Sequence, residues 1–186
     1  MPRRFARAQP AVIAIRIEAV EQLFDMLDPL PFRQRDLDPQ AADYIVGWAA
    51  EIANAPGFTI EIHLPAAAAT APEAGLLPAA IGGYFRYRAD QATAELKALF
   101  RNGRHALLIG VLVLAACVGA SQALASHLGS GPLSEFIRES LIILGWVANW
   151  RPIQIFLYDW WPIRQRRHLL RRLANAEVKV KPQPAP

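Results

Sequence analysis

The residues that could do chemistry lie in the segment GWVANWRPIQIFLYDWWP (145–162). Asn149, Arg151 and Asp159 interrupt its otherwise apolar and aromatic sequence. A guanidinium in such surroundings can hold a lipid phosphate or a carboxylate through paired hydrogen bonds, and Asp159 is the candidate carboxylate within the chain. The alternative is that Arg151 extends its charged end to a lipid–water interface. Aromatic residues typical of such interfaces flank it: Trp150, Trp160 and Trp161.

The rest of the sequence contains no recognisable catalytic motif. Its aspartates and histidines show no fixed metal-ligand spacing, and capping or turn roles explain the aspartates. Phosphate loops, dinucleotide fingerprints and nucleophile elbows are missing as well. We therefore expect no metal site and no cofactor, and an enzyme is disfavoured. The residues considered were Asp25, Asp28, Asp36, Asp38, Asp43, His63, His105, His127 and His168.

A long uncharged run predicts a membrane-spanning helix. Residues 106–125 carry no charged side chain, and a helix of this length measures about 30 Å, the thickness of a bilayer's hydrocarbon core. We predict a first transmembrane helix over 104–126, an external loop at 127–138 and a second transmembrane helix over 139–159. The second helix must extend beyond Trp150, because a shorter one could not cross. Pro152 lacks an N–H group, which predicts a kink.

Charge is distributed unevenly along the chain, although the net charge is only +4. Residues 12–100 carry six Lys or Arg against twelve Asp or Glu, whereas residues 151–181 carry eight against two. Arginines precede the first apolar run and follow the second, and the loop between them has only Arg138. The positive-inside rule therefore predicts that both chain ends are cytoplasmic. The acidic balance of residues 12–100 disfavours a nucleic-acid partner.

The arginines after the second apolar run define a predicted basic amphipathic helix at 162–175. It places Ile163, Leu170 and Leu173 among cationic side chains, as a helix lying on a membrane surface would. We therefore predict that its partner is a membrane with anionic lipid head groups. The basic residues facing that surface would be Arg164, Arg166, Arg167, Arg171 and Arg172.

Residues 11–100, after a flexible N-terminus at 1–10, are predicted to form a cytoplasmic domain. VIAIRI (12–17) and FTIEIHL (58–64) alternate apolar and polar residues, as half-buried strands do. Between them a helix is predicted to begin at Asp38, with Pro39 in its first turn. This order predicts a parallel β-α-β unit with one open sheet face, followed by a helix leading into the membrane.

The tail at 176–186 has two interpretations. EVKV (177–180) alternates apolar and charged residues and could pair with the sheet as a third strand, or it could be a frayed end. The predicted fold class is thus α+β: a small cytoplasmic β-α-β domain, with or without that third strand, on a two-helix transmembrane hairpin.

Small side chains form a ridge on the first apolar helix. Ala115, Gly119 and Ala123 recur at four-residue steps, which lets another helix approach closely. The neighbour could be the second span of the same chain, a second copy that would make a homo-oligomer, or another membrane protein.

Several segments of the chain resemble a known family. They are LDPLPFRQRDLDPQAADYIVGWA, HLP, FRYRA and, most distinctively, GWVANWRPIQIFLYDWWPIRQRR. The family comprises small, uncharacterised bacterial inner-membrane proteins with a GWVANWRPxxIFLYDWWP-type signature. The resemblance implies a location in the bacterial cytoplasmic membrane, and it implies no activity, cofactor or catalytic residue.

Three functions are compatible with this sequence. The preferred hypothesis is a non-enzymatic adaptor or accessory subunit that couples a cytoplasmic domain to the membrane. The alternative is a small oligomeric channel or transport component in which Asn149 and Arg151 line a polar path. A weaker third is an enzyme acting on lipids without a known motif.

Overall fold

The fold is described by a computed structural model over residues 10–25, 36–128 and 131–183. The chain divides into two units. The first unit, here called the sheet unit, combines Met1–Ala92 with Gln165–Pro186, and the second, the hairpin unit, is Thr93–Arg164. The predicted flexible N-terminus, apart from Pro10, lies outside the described residues, as do the last three residues of the tail.

The sheet unit is built on three parallel strands in the order β1-β2-β3. β1 is Ala11–Arg16, β2 is Phe58–Leu64 and β3 is Glu177–Pro182. Ile60 of β2 pairs with Ile13 on one side and with Val178 on the other, so the apolar positions of all three strands share one face. The strand interpretation of the tail is therefore confirmed, and the α+β class holds.

The first helix of the sheet unit begins where the sequence provides a cap. α1 is Pro39–Glu51, and the Asp38 carboxylate accepts hydrogen bonds from the backbone N–H groups of Gln40 (2.9 Å) and Ala41 (3.2 Å). Asp38 is thus the predicted N-cap, and Pro39 has no N–H that needs a partner. The remaining elements are 3₁₀ turns at Val20–Leu23 and Pro72–Leu76, α2 at Ala66–Ala69, residues 77–92 of α3 (Leu77–Leu128) and residues 165–174 of α6 (Trp160–Ala174).

The core of the sheet unit joins every one of its layers. Its fully buried side chains include Ile45 of α1, Ile60 and Ile62 of β2, Phe85 of α3 and Leu173 of α6. Leu170 and Leu173 of α6 belong to the same core cluster as residues of β1 and β2, and Val178 and Val180 of β3 pack against it. The segments before and after the hairpin unit therefore fold together.

The opposite face of the sheet is polar, as the strand alternation predicts. Lys181 Nζ lies 2.7 Å from Glu61 Oε1 and so links β2 to β3. This hydrogen bond lowers the pKa of Glu61 below its ordinary value. The contact ties the third strand to the centre of the sheet by side chains as well as by backbone.

The hairpin unit consists of two long helical stretches. α3 continues to Leu128, and the returning stretch comprises α4 (Pro132–Ala148), α5 (Trp150–Gln154), a π-helical turn (Ile155–Asp159) and the start of α6. Two stretches, Pro72–Leu124 and Pro132–Ala174, are long and apolar enough to cross a membrane.

The returning helix begins earlier than the sequence predicted. α4 starts at Pro132, so residues 132–138 of the predicted external loop are helical. Pro132 suits a first helical position, and the Ser134 hydroxyl accepts a hydrogen bond from the Gly131 N–H at 3.2 Å. These two local features begin the helix well before the uncharged residues that guided the prediction.

The two stretches of the hairpin unit touch through glycines. A Cβ added to Gly103 would lie 2.8 Å from Ile155 Cγ2, one on Gly110 would lie 2.7 Å from Asn149 Oδ1, and one on Gly145 would lie 2.7 Å from Leu114 Cδ1. Later positions on α3 thus contact earlier positions on the returning stretch, so the two helices run antiparallel. We call Gly103, Gly110 and Gly145 the glycine seam.

Candidate functional site

The charged residues of the second apolar stretch form an ion pair. Arg151 Nη1 lies 3.0 Å from Asp159 Oδ2, and the two side chains are 62% and 33% exposed. The candidate carboxylate inferred from sequence is thus the one that Arg151 contacts. The pair lies on the surface of the helix, where a third group could approach the remaining guanidinium donors.

The π-helical turn explains how residues eight positions apart can meet. In a regular α-helix two such residues differ by about 80° around the axis. A π turn accommodates one extra residue, so Asp159 takes the angular position of a residue seven places after Arg151, which lies on the same face. The ion pair therefore depends on the geometry of residues 155–159.

Pro152 interrupts the helix a few residues before its own position. α4 ends at Ala148, whose carbonyl would have bonded the N–H group that Pro152 lacks, and a new helical segment begins at Trp150. The helix interruption expected from the proline thus falls at Asn149, between α4 and α5.

Asn149 lies away from Arg151, in the contact between the helices. It is only 8% exposed, and its Nδ2 donates to the backbone oxygens of Gly110 (3.1 Å) and Gly145 (2.9 Å). The side chain thus joins α3 to the end of α4, and a close approach at Gly110 is required for it to do so. The predicted polar site is divided: Arg151 and Asp159 come together, and Asn149 links the helices.

Aromatic residues flank both members of the ion pair in the sequence. Trp150, Tyr158 and Trp161 are all more than half exposed. Trp160 donates its indole N–H to the Phe156 carbonyl at 2.9 Å, and the Arg164 guanidinium carbon lies 5.6 Å from the centre of the Trp160 ring. Exposed Trp and Tyr beside arginine is the composition of a membrane–water interface.

The basic helix departs from its predicted role in its second half. Leu170 and Leu173, expected to face lipid, are buried in the core of the sheet unit. Arg172 donates to the carbonyls of Ala53 and Ala55 and stacks over Phe58. The prediction of a lipid-facing apolar side is wrong there, because sequence periodicity cannot distinguish burial against a sheet from burial in a bilayer. Arg164, Arg166 and Arg171 have exposed side chains, and Arg167 is half-buried.

The small-residue ridge does not lie at the contact between the helices. Ala115, Gly119 and Ala123 are exposed, and a Cβ on Gly119 would meet no atom within 4 Å. The two helices contact each other at the glycine seam instead, which was not recognised from sequence. A signal was present, since Gly103, Gly110 and Cys117 recur every seven residues, as positions on one helix face do. Ridge contacts with a second copy stay a prediction.

Where the structure describes them, the remaining candidate residues do not assemble into a metal site. In the described parts of the chain, no three His, Cys, Asp or Glu side chains are grouped so that they could hold an ion. Asp38 caps α1, and the backbone N–H of Asp25 bonds the Asp36 carbonyl at 2.9 Å. Asp28 and the side chain of His127 lie outside the described residues.

Comparisons with family models, with curated proteins and with solved structures found no match. The membership suggested by the signature segment stays a prediction.

The ion pair leads to a prediction about stability. We expect a double-mutant cycle of Arg151→Leu and Asp159→Leu, followed by thermal unfolding in mild detergent, to give a coupling of about 0.5–1 kcal/mol, as for other exposed pairs. Arg151→Lys should retain most of that coupling, because a single donor to Asp159 is enough for the observed contact. The matched control is Glu135 and Arg138, which are 3.8 Å apart and should couple more weakly. Equal coupling in both cycles would contradict a specific Arg151–Asp159 pair.

Proposed function

We propose that this chain is an integral protein of the bacterial cytoplasmic membrane that acts as a non-enzymatic adaptor or accessory subunit. In this proposal the hairpin unit spans the membrane, and the sheet unit, with both chain ends, is held on the cytoplasmic side. In this role the sheet unit would bind a partner protein, located either in the membrane or in the cytoplasm.

The exposure of the apolar helices supports membrane insertion. Only 17% and 22% of their most apolar windows are buried, whereas the core helix of a soluble protein is mostly buried. Large apolar side chains on both stretches face outward, among them Leu108, Ile109, Leu112, Ile143 and Trp146. So large an exposed apolar surface favours lipid as its solvent.

The pairing of β2 with β3 carries the topology part of the proposal. Thr59 pairs with Glu177 and Leu64 with Pro182, on either side of the hairpin in sequence. Strands of one sheet must lie in one compartment, so a chain that enters the membrane after β2 must return before β3. An even number of crossings follows, and the positive-inside rule then selects the cytoplasm.

The geometry favours the adaptor over the channel. A polar path through Asn149 and Arg151 would require both side chains to face one space. Asn149 instead donates its amide hydrogen bonds to the carbonyls of Gly110 and Gly145. Arg151 is exposed on the helix surface, where it pairs with Asp159. The glycine seam also brings the two helices into close contact at three positions.

The topology is tested with reporters active only in the cytoplasm. A reporter fused before Met1 or after Pro186 should be active, and one inserted at Gly131 should be inactive, with the protein retained in alkali-washed membranes. Activity at Gly131 would contradict the two-span arrangement.

The adaptor role is tested by the mass of the particle in mild detergent. A monomer or dimer, alone or with a stoichiometric partner protein, is the expected result. A closed ring of copies would support the channel and would overturn the adaptor.

A further inference from the structure

The sheet unit contains a cleft that the proposed adaptor role does not use. It has a volume of about 530 Å³ and lies where Pro56–Thr59 lead into β2 and where Glu177 begins β3. All of its lining residues belong to the sheet unit. Its volume is in the range of small-molecule sites, which are about 300–1,000 Å³.

One wall of the cleft is a basic face of α6. His168, Arg171 and Arg172 line it, and their spacing of three and four residues places them on one side of the helix. His168 and Arg171 are exposed, so their side chains are accessible to a ligand from solvent.

Neutral groups of the protein hold the Arg172 guanidinium in place, and no carboxylate contributes to these contacts. Its Nη1 and Nη2 donate to the carbonyls of Ala53 and Ala55, and its guanidinium carbon lies 4.3 Å from the centre of the Phe58 ring. Carbonyls and an aromatic face orient a guanidinium but do not neutralise it, and three of its five N–H donors remain. A guanidinium that is already oriented in the free protein is preorganised to bind an anion.

The positive charge of the cleft is not balanced by the protein. Among the described residues, neither Arg171 nor Arg172 forms an ion pair. The one carboxylate that lines the cleft, Glu177, lies 3.0 Å from Lys179 Nζ and so forms its ion pair with that lysine and with neither arginine. Two uncompensated guanidinium charges are thus left facing the same space.

We propose that this cleft binds a phosphomonoester. A phosphate of this kind carries about −1.5 to −2 charges at pH 7, which matches two guanidinium groups, whereas a carboxylate would balance only one. The cleft is larger than a phosphate, and Pro10, Pro56 and Phe58 offer apolar surface to a short organic body. The group could belong to a soluble metabolite or to a lipid head group such as phosphatidic acid.

The proposal is tested by calorimetric titration of the full chain in mild detergent with methyl phosphate. Saturable binding at one site per chain is expected, with acetate at least about tenfold weaker. Arg171→Gln should weaken methyl phosphate binding by at least about tenfold, because a charged hydrogen bond is lost. Arg167→Gln removes the same charge from the same helix outside the cleft, and it should leave binding unchanged.

Reconstitution in lipid nanodiscs distinguishes the two sources of the phosphate. If a lipid head group occupies the cleft, phosphatidic acid in phosphatidylcholine discs should abolish methyl phosphate binding by competition. If the ligand is soluble, binding should be equal in both kinds of disc. Absence of saturable binding in detergent, or equal weakening by Arg167→Gln and Arg171→Gln, would overturn the proposal. Neither result bears on the adaptor role, which rests on the hairpin.

Discussion

Gly110→Ala should open the contact between α3 and α4. Its new Cβ would lie 2.7 Å from Asn149 Oδ1 and 3.1 Å from the Ala148 carbonyl oxygen, so the Asn149 side chain must move or the helices must separate. Overpacking costs about 1–3 kcal/mol, and an amide left without its partners costs about as much again. We therefore expect the free energy of the helix contact to weaken by about 2–6 kcal/mol.

Cys117 provides a direct measurement of that loss. It is the only cysteine in the chain, it is buried, and its Cβ would lie 3.5 Å from a Cβ on Gly145. A thiol reagent should react with it slowly in the wild-type protein and at least about tenfold faster in Gly110→Ala, because 1.4 kcal/mol changes an opening equilibrium tenfold.

Gly119→Ala is the matched control on the same helix. No atom lies within 4 Å of its added Cβ, so the substitution should leave Cys117 protected and could stabilise the helix by up to about 1 kcal/mol. If Gly119→Ala exposed Cys117 as much as Gly110→Ala does, the seam would have been assigned to the wrong glycines.

Leu173→Ala should destabilise the sheet unit by about 2–5 kcal/mol, which is the usual cost of truncating a fully buried leucine. Leu173 is 0% exposed and belongs to the core shared by the three strands and their helices. The measurement is the midpoint of thermal unfolding of the full chain in detergent, followed by circular dichroism.

Ile163→Ala is the comparison that separates the two roles of the basic helix. Ile163 is only half-buried and lies in the hairpin unit. If the whole helix lay on a membrane, truncation at Ile163 and at Leu173 would have similar small effects in detergent. A core role for Leu173 requires its substitution to be the more costly by a clear margin.

The sheet unit was largely predictable from sequence because its signals are local. The Asp38–Pro39 start of α1 and the alternation of Phe58–Leu64 each specify an element through neighbouring residues. The third strand remained one of two interpretations, since EVKV is short and its partner is more than a hundred residues away in sequence.

The surfaces that helices use were less predictable. The first apolar helix has small residues on two faces, and sequence alone does not say whether Gly110 or Gly119 meets the neighbouring helix. The same ambiguity misplaced Leu170 and Leu173, since an apolar stripe among arginines is compatible with lipid and with a protein core. The Arg151–Asp159 contact further requires a π turn, for which no local residue pattern was recognised.

The position of β3 in the sheet has a consequence for biogenesis. During synthesis β2 leaves the ribosome before either apolar helix, and its edge stays unpaired until both have been made, because its neighbour begins only at Glu177. A nascent chain with an unpaired inner strand is prone to associate with other chains or to be degraded. Under the proposed topology, insertion of both helices places β3 on the same side of the membrane as β2, where it can pair with the free edge of that strand. If the second helix fails to cross, β3 stays on the opposite side of the membrane from β2, and quality control would act on the unfinished domain.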